Sequence, residues 1–340
     1  MKTRFAFIGF QHLHVWDALG RVRDRNDAEV VACCEEDPAT RQVLARDGRV
    51  TITHDDYRRL LAEVDCDAVV VGDSFAKRGT IIADALAAGR HVLADKPACT
   101  RLEELARIEA TARKRDRVVG MILELRDSGV FRGVRRMVRA GEIGEIRAAT
   151  IGGQHPLSLA TRPAWYHEAG RHGGTINDLG IHGIDLLTWV TGLRWSRVVA
   201  ARCWQRGVPP GSHFRNAAQF MLAMENDCGV LGDVSYFAPD SMGYASPLYW
   251  RLTLWGSRGV IEASLYSRSI SLYRDGEKEG AAIPPDTPDP GGYLNSFLRE
   301  VRGEAADDDG SLSSLEVFGA SRVALMTQEA ADKGLHEVAL

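Results

Sequence analysis

Three residues in the stretch 173–185 (GGTINDLGIHGID) raise the first chemical question: Asp178, His182 and Asp185. Their offsets of four and seven place them on one face of a helix. The apolar Leu186, Leu187, Trp189 and Val190 predict that this helix is buried, and Gly192 closes it as a left-handed cap. Buried carboxylates and imidazoles need a partner or a task, because unpaired buried charge is expensive. A histidine among aspartates suits proton transfer near neutral pH, and equally suits a structural ion pair. Spacing alone leaves both readings open.

A lysine supplies the second candidate. Asp95-Lys96-Pro97 follows a short β-rich run at 91–94 (HVLA), and the proline restricts Lys96 to extended backbone. The elements that position it begin at the N-terminus. Short apolar runs at 4–9, 29–34, 68–71 and 91–94 alternate with helical patterns, including 14–22, a helix opened by Pro38, and 78–88 stopped by Gly89. Strands and helices alternating at this interval predict a Rossmann-type parallel α/β sheet, with ligands at the carboxyl ends of its strands. The first such turn reads Gly9-Phe10-Gln11-His12. It keeps the first glycine of the dinucleotide fingerprint and lacks the second. Backbone N–H groups of Phe10, Gln11 and His12 remain as phosphate donors at a helix start. Glu35 lies about 25 residues beyond Gly9, where an acid meets a ribose hydroxyl, and the adjacent Glu36 repels a 2′-phosphate, favouring NAD over NADP. Asp73 and Ser74 follow the third strand, and Asp95 and Lys96 the fourth, at the same edge. All nine (Gly9, Phe10, Gln11, His12, Glu35, Asp73, Ser74, Asp95 and Lys96) are expected to touch cofactor.

From about Leu123 the pattern changes, which divides the chain into a dinucleotide-binding domain, 1–122, and a second domain, 123–340. Strand-like runs at 147–151, 197–203, 217–224, 228–236, 251–255 and 259–265 predict a large, mostly antiparallel open sheet in an α+β domain. A basic amphipathic helix at 130–140 and closing helices at 293–302 and 314–333 accompany it. The closing helices are joined by an acidic, solvated loop at Asp307, Asp308 and Asp309. Phe220, Met221, Leu222, Tyr236, Trp250, Leu252 and Trp255 suggest an apolar sheet surface that pairs copies into a homodimer or homotetramer. The polar and aromatic stretch 154–172 is expected to line a sugar-sized pocket through His155, Trp165, Tyr166 and His172.

Taken together, Asp95-Lys96-Pro97, Gly141-Glu142-Ile143-Gly144-Glu145-Ile146, and Gly173-Gly174 with Asp178, Gly180, His182 and Asp185 resemble the Gfo/Idh/MocA oxidoreductases. The resemblance covers essentially the whole chain. It departs at Asp95, where the family usually has glutamate, and at Leu123-Glu124-Leu125, where an Asn-Arg pair is common. What it implies is a catalytic group of Lys96, Asp178 and His182, bound NAD, and hydride transfer to or from a secondary alcohol or ketone of a sugar, cyclitol or related polyol. By that resemblance His182 acts as base, Asp178 orients it or the substrate, Lys96 stabilises alkoxide charge, and Asp185 supports the helix. Other members of the fold are NAD-dependent glycoside hydrolases or non-catalytic NAD-binding regulators, and both stand as alternatives. A metal hydrolase built on His182, Asp178 and His155 or His172 needs a convergence of histidines that spacing does not reveal, so no metal is expected.

Composition narrows the partners. A formal net charge of −4 over 340 residues carries no basic footprint, so nucleic acid is not expected. No apolar run approaches the roughly 18 residues that span a bilayer, so neither is a membrane. Six cysteines without a CxxC spacing read as reduced thiols, and a cytoplasmic location is expected.

Overall fold

The computed structural model describes residues 2–304 and 310–340, so the aspartates at 307–309 lie outside the described residues. The chain forms two compact units. One comprises 1–122, 170–173 and 293–319, and the other 123–169, 174–292 and 320–340.

In the first unit β1 (Thr3–Ile8), β2 (Ala28–Cys34), β3 (Ala68–Val71), β4 (His91–Asp95) and β5 (Val119–Ile122) form a parallel sheet in the order β2-β1-β3-β4-β5. Helices α1 (His14–Arg23), α2 (Pro38–Asp47), α3 (Tyr57–Glu63), α4 (Phe75–Ala87) and α5 (Leu102–Arg115) connect its strands. Every residue of β3 (AVVV) and β5 (VGMI) is buried, as a parallel sheet covered on both faces requires. The strand order reverses between β1 and β3, and the loops leaving those two strands interlock there. Gln11 N donates to Gly72 O over 3.1 Å, and Gly72 N to Ile8 O over 2.9 Å. Such a switch point is where open α/β sheets take ligands.

The second unit holds α6 (Gly129–Arg139), β6 (Ile146–Pro156), α7 (Ile181–Thr191), β7 (Trp195–Trp204), β8 (Ala217–Met224), β9 (Gly229–Ala238), β10 (Arg251–Gly256), β11 (Gly259–Ser264), β12 (Ile270–Arg274), β13 (Ala281–Ile283) and β14 (Val338–Ala339). Its nine-stranded sheet runs β13-β12-β11-β10-β6-β9-β8-β7-β14 and is antiparallel except between β6 and β9. Helices α6 and α7 lie close on one face. A Cβ on Gly183 would come 2.2 Å from Ile151 Cδ1, and one on Gly133 2.7 Å from Ile270 Cδ1.

The strand pleat corrects the expected apolar surface. Phe220, Leu222, Tyr236, Trp250 and Leu252 are buried inside this unit, and of the seven residues only Met221 and Trp255 are exposed. Successive strand residues alternate between faces, so consecutive apolar residues cannot share one. On its strands Leu231, Phe237 and Tyr273 are exposed as well.

Helix α8 (Gly292–Val301), grouped by sequence with the second domain, packs its core residues into the first unit. Tyr293, Leu294, Phe297 and Leu298 join Phe5, Phe7, Val70 and Leu93 in one core. Phe297 occupies the space that a side chain at Gly120 would need. Helix α9 (Ser314–Lys333) closes the chain's helical elements, and among the described residues no helix is long and apolar enough to cross a membrane.

Candidate active site

In the first unit the site is built on the switch-point loops. Gly9 has φ of +82°, and a Cβ there would lie 2.4 Å from the Asp73 amide nitrogen, so only glycine fits. The turn thus keeps the tight geometry of the fingerprint's first glycine, packed on the loop after β3, while the second glycine is missing. Asp73 and Ser74, both fully buried, sit on the facing loop, and Asp73 Oδ1 accepts from Ser74 N over 2.6 Å. Gly9 through His12, Asp73 and Ser74 thus lie together on the two loops of the switch point.

Glu35 is fully buried behind the glycine turn. Its side chain accepts from Phe10 N (2.7 Å), Asp37 N (2.8 Å) and Gln11 Nε2 (3.3 Å), so the carboxylate shapes the glycine turn. Burial raises its pKa, and those donors only partly offset the rise. Glu36 instead meets Lys77 Nζ at 3.2 Å.

Asp95 also turns into the protein, onto a residue that sequence reading passed over. Arg78, fully buried on α4, donates through Nη2 to Asp95 Oδ2 over 2.9 Å. Its Nε reaches Asp73 O (2.7 Å), and its Nη1 reaches the carbonyls of Asp95 (3.1 Å), Lys96 (2.5 Å) and Pro97 (3.2 Å). One guanidinium thereby ties the end of β3 to the Asp-Lys-Pro turn, whose Lys96–Pro97 bond is cis. Lys96 is 2% exposed. The same carboxylate receives His12 Nδ1 at 2.7 Å and His14 Nδ1 at 3.1 Å. Burial alone would push Asp95 upward. Arg78 and the two histidines outweigh it and hold the carboxyl well below the usual range. Burial drives His12 the other way, down to about 3. His172 belongs to this unit, its ring 5.3 Å from that of Phe75.

In the second unit, Asp178 lies on a π-helical turn (Ile176–Gly180) that opens directly into α7. Wider turns of this kind often mark functional positions, and a regular helix pattern cannot announce them. Gln328 Oε1 caps the turn by accepting from Ile176 N over 3.0 Å. The three residues of the opening motif separate by partner. Tyr236 donates its hydroxyl to Asp178 Oδ2. His182 lies with its ring 4.7 Å from Trp250. Asp185 takes Arg126 through two bonds of 2.6 and 2.9 Å, both residues being buried, and supports the helix. Burial, with the Asp178 carboxylate next, pushes the Tyr236 phenol well above its ordinary pKa and keeps it a donor.

The expected sugar-lining residues join this cluster in part. His155 sits 4.8 Å from Tyr249, 5.2 Å from Trp250 and 5.6 Å from Tyr236, centroid to centroid. Tyr166 stacks near Trp165 at 4.2 Å and meets Tyr236 edge-on at 6.5 Å. Arg162 lies over both tyrosines, 5.0 Å from Tyr166 and 4.7 Å from Tyr236. The second unit therefore gathers His155, Tyr166, Asp178 and His182 around Tyr236 and Trp250. Neither of those two stands out in the sequence as a site residue, because in a strand pattern each reads as part of an apolar sheet surface.

Two outcomes test this arrangement. Arg78→Met leaves a buried carboxylate without its guanidinium and should cost about 3–5 kcal/mol by chemical denaturation; a loss under about 1 kcal/mol would show that the network carries little. His12 binds its proton far more weakly folded, near pH 3, than unfolded, near 6.5, so stability should fall as pH drops through that window. Asp95, depressed in the fold, adds to the same acid loss. His12→Gln should flatten the slope measured between those limits, and an unchanged slope would refute the assignment.

Residues 3–123 match the model of the oxidoreductase family with an NAD-binding Rossmann fold, and residues 131–262 match the Gfo/Idh/MocA C-terminal domain. The D-glucoside 3-dehydrogenase of Escherichia coli is 27% identical over 86% of this chain and 80% of its own length. The dTDP-3,4-didehydro-2,6-dideoxy-alpha-D-glucose 3-reductase of Saccharopolyspora spinosa is 33% identical over 84% of this chain and 83% of its own. In fold, the WlbA dehydrogenase of Bordetella pertussis, solved with NADH and UDP-GlcNAcA, superposes with a TM-score of 0.80 at 18% identity, covering 99% of each chain. Matches over both units, together with the parallel five-stranded sheet and the large open sheet, establish that this chain belongs to the Gfo/Idh/MocA family of NAD-binding oxidoreductases.

Proposed function

We propose that this enzyme moves a hydride between NAD and a secondary alcohol or ketone of a sugar, cyclitol or related polyol, with Lys96, Asp178 and His182 as its catalytic residues. The observation that carries the reading is the buried lysine at the carboxyl end of β4, fixed by Arg78 at the edge where an NAD-binding sheet takes its ligand. Both named relatives act at position 3 of a sugar, which supports a ring hydroxyl or ketone as the reacting group.

Gly9 through His12, Asp73 and Ser74 would hold the dinucleotide, and bound NAD would supply the hydride acceptor. In the oxidative direction His182 takes the proton of the reacting hydroxyl. Lys96 donates to the same oxygen and lowers the cost of its developing negative charge. Asp178, held by the Tyr236 hydroxyl, orients the imidazole or a neighbouring substrate hydroxyl. Loss of the C–H hydride and the O–H proton leaves the ketone, and reduction runs the same steps backward. His155, Trp165, Tyr166 and His172 complete the proposed substrate contacts. The uncovered sheet face, with Met221, Leu231, Trp255 and Tyr273 exposed, is where a second copy would pack.

NADH should quench tryptophan fluorescence at lower concentration than NADPH, since Glu35 and Glu36 disfavour a 2′-phosphate. Lys96→Ala and His182→Ala should each lower kcat by about 10²–10⁴-fold while NADH affinity stays within a few-fold. Full activity in both variants, or tighter binding of NADPH, would contradict the proposal.

A further inference from the structure

Trp250 precedes β10 with φ of +49°, a left-handed conformation rarely adopted by a bulky residue. Such backbone persists only where the surroundings enforce it, and it concentrates at functional sites. The indole so placed is 4% exposed and lies against two imidazoles, tilted 4.7 Å from His182 and edge-on 5.2 Å from His155. Its space comes from Gly153 on β6, where a Cβ would come 2.3 Å from the indole ring. Strain, a dedicated glycine and contact with His182 converge on one residue.

The indole nitrogen adds an independent observation. Trp250 Nε1 is buried with no hydrogen-bond partner among the described residues. The Tyr249 hydroxyl beside it lies outside ordinary hydrogen-bond geometry yet still feels the indole N–H, which lowers that phenol's pKa, while burial and the Glu124 carboxylate outweigh it and hold the phenol well above its usual value. Tryptophan in a core normally finds an acceptor for its N–H, and apolar phenylalanine or leucine packs a core without leaving a donor unmet. A buried, unmet donor beside an imidazole suits a ligand that brings an oxygen. An aromatic face beside it suits the C–H surface of a sugar ring.

We propose that Trp250 is a substrate-binding residue, its indole N–H donating to an uncharged hydroxyl of the sugar and its ring seating that sugar against His182. This rests on the sugar-oxidoreductase reading above and adds the residue that selects the substrate's oxygen pattern. A donor matched to one oxygen discriminates strongly against analogues lacking it.

The test uses methyl β-D-glucopyranoside and its monodeoxy analogues with NAD, comparing the full-length protein with Trp250→Phe, which keeps a ring and removes the N–H. The variant should raise KM about tenfold, as loss of one hydrogen bond does, with the loss falling on KM more than on kcat. For the one deoxy analogue that lacks the accepting oxygen, wild type and variant should bind alike. A second measurement does not depend on the variant's folding. In the wild-type protein loaded with NADH, the indole N–H resonance of Trp250 should move downfield on titration with the parent glycoside. Normal wild-type turnover with KM in Trp250→Phe within twofold, or an indole resonance unmoved at saturation, would overturn the assignment alone. Wild-type protein that turns over no sugar in the series and shows no resonance change would overturn the functional reading and this assignment together.

Discussion

A single buried guanidinium organises the strand-end loops of the first unit. Arg78 has no exposed surface, so its charge must be met entirely by protein, and it is met by the Asp95 carboxylate and four backbone carbonyls. Those carbonyls belong to the ends of β3 and β4, so satisfying the charge also fixes where the two loops go. Lys96 is held as a consequence, as are His12 and His14 through the shared carboxylate. Buried ion pairs are weak sources of net stability, yet removing one partner is costly because the other is left stranded. That asymmetry makes the pair a positioning device: geometry is enforced by what its loss would cost.

The second unit solves the same problem with aromatic rings. The π-helical turn carries Asp178 into α7 under the Tyr236 hydroxyl, while His182 one turn on rests against Trp250. Close packing of α7 on β6, permitted by Gly183, brings the helix down onto the strands that deliver those rings. Burial and the Asp178 carboxylate raise the Tyr236 phenol well above its ordinary value, so it remains a donor to Asp178 near neutral pH. Arg162 over Tyr236 links the polar loop to the same cluster.

Much of this was legible in the sequence, for identifiable reasons. Strand runs such as β8, β10 and β11 carried strong local patterns, and the alternation of strands and helices in the first unit announced a parallel sheet. Lys96 was legible because a proline and a preceding β-rich run placed it at a sheet edge. Arg78 was not, since an arginine inside a helical pattern reads as a solvated side chain until its neighbours in space are known. Tyr236 and Trp250 read from the sequence as a shared apolar surface, because the face a strand residue takes depends on register and covering helices. Glu35 and Asp95 stand at the carboxyl ends of β2 and β4, but where their side chains turn depends on donors far away in sequence. The return of Phe297 to the first core is likewise a non-local packing choice that no window of sequence contains.

The central claim is net hydride transfer from a carbohydrate carbon to NAD. The direct measurement is to incubate the protein with NAD and a panel of sugars, glycosides and cyclitols, following the near-ultraviolet absorbance of reduced nicotinamide alongside product analysis. The account predicts NADH accumulating in step with a ketone from at least one member of the panel. Cleavage of a glycoside with no net NADH, or tight NAD binding with no turnover of any member, would contradict it.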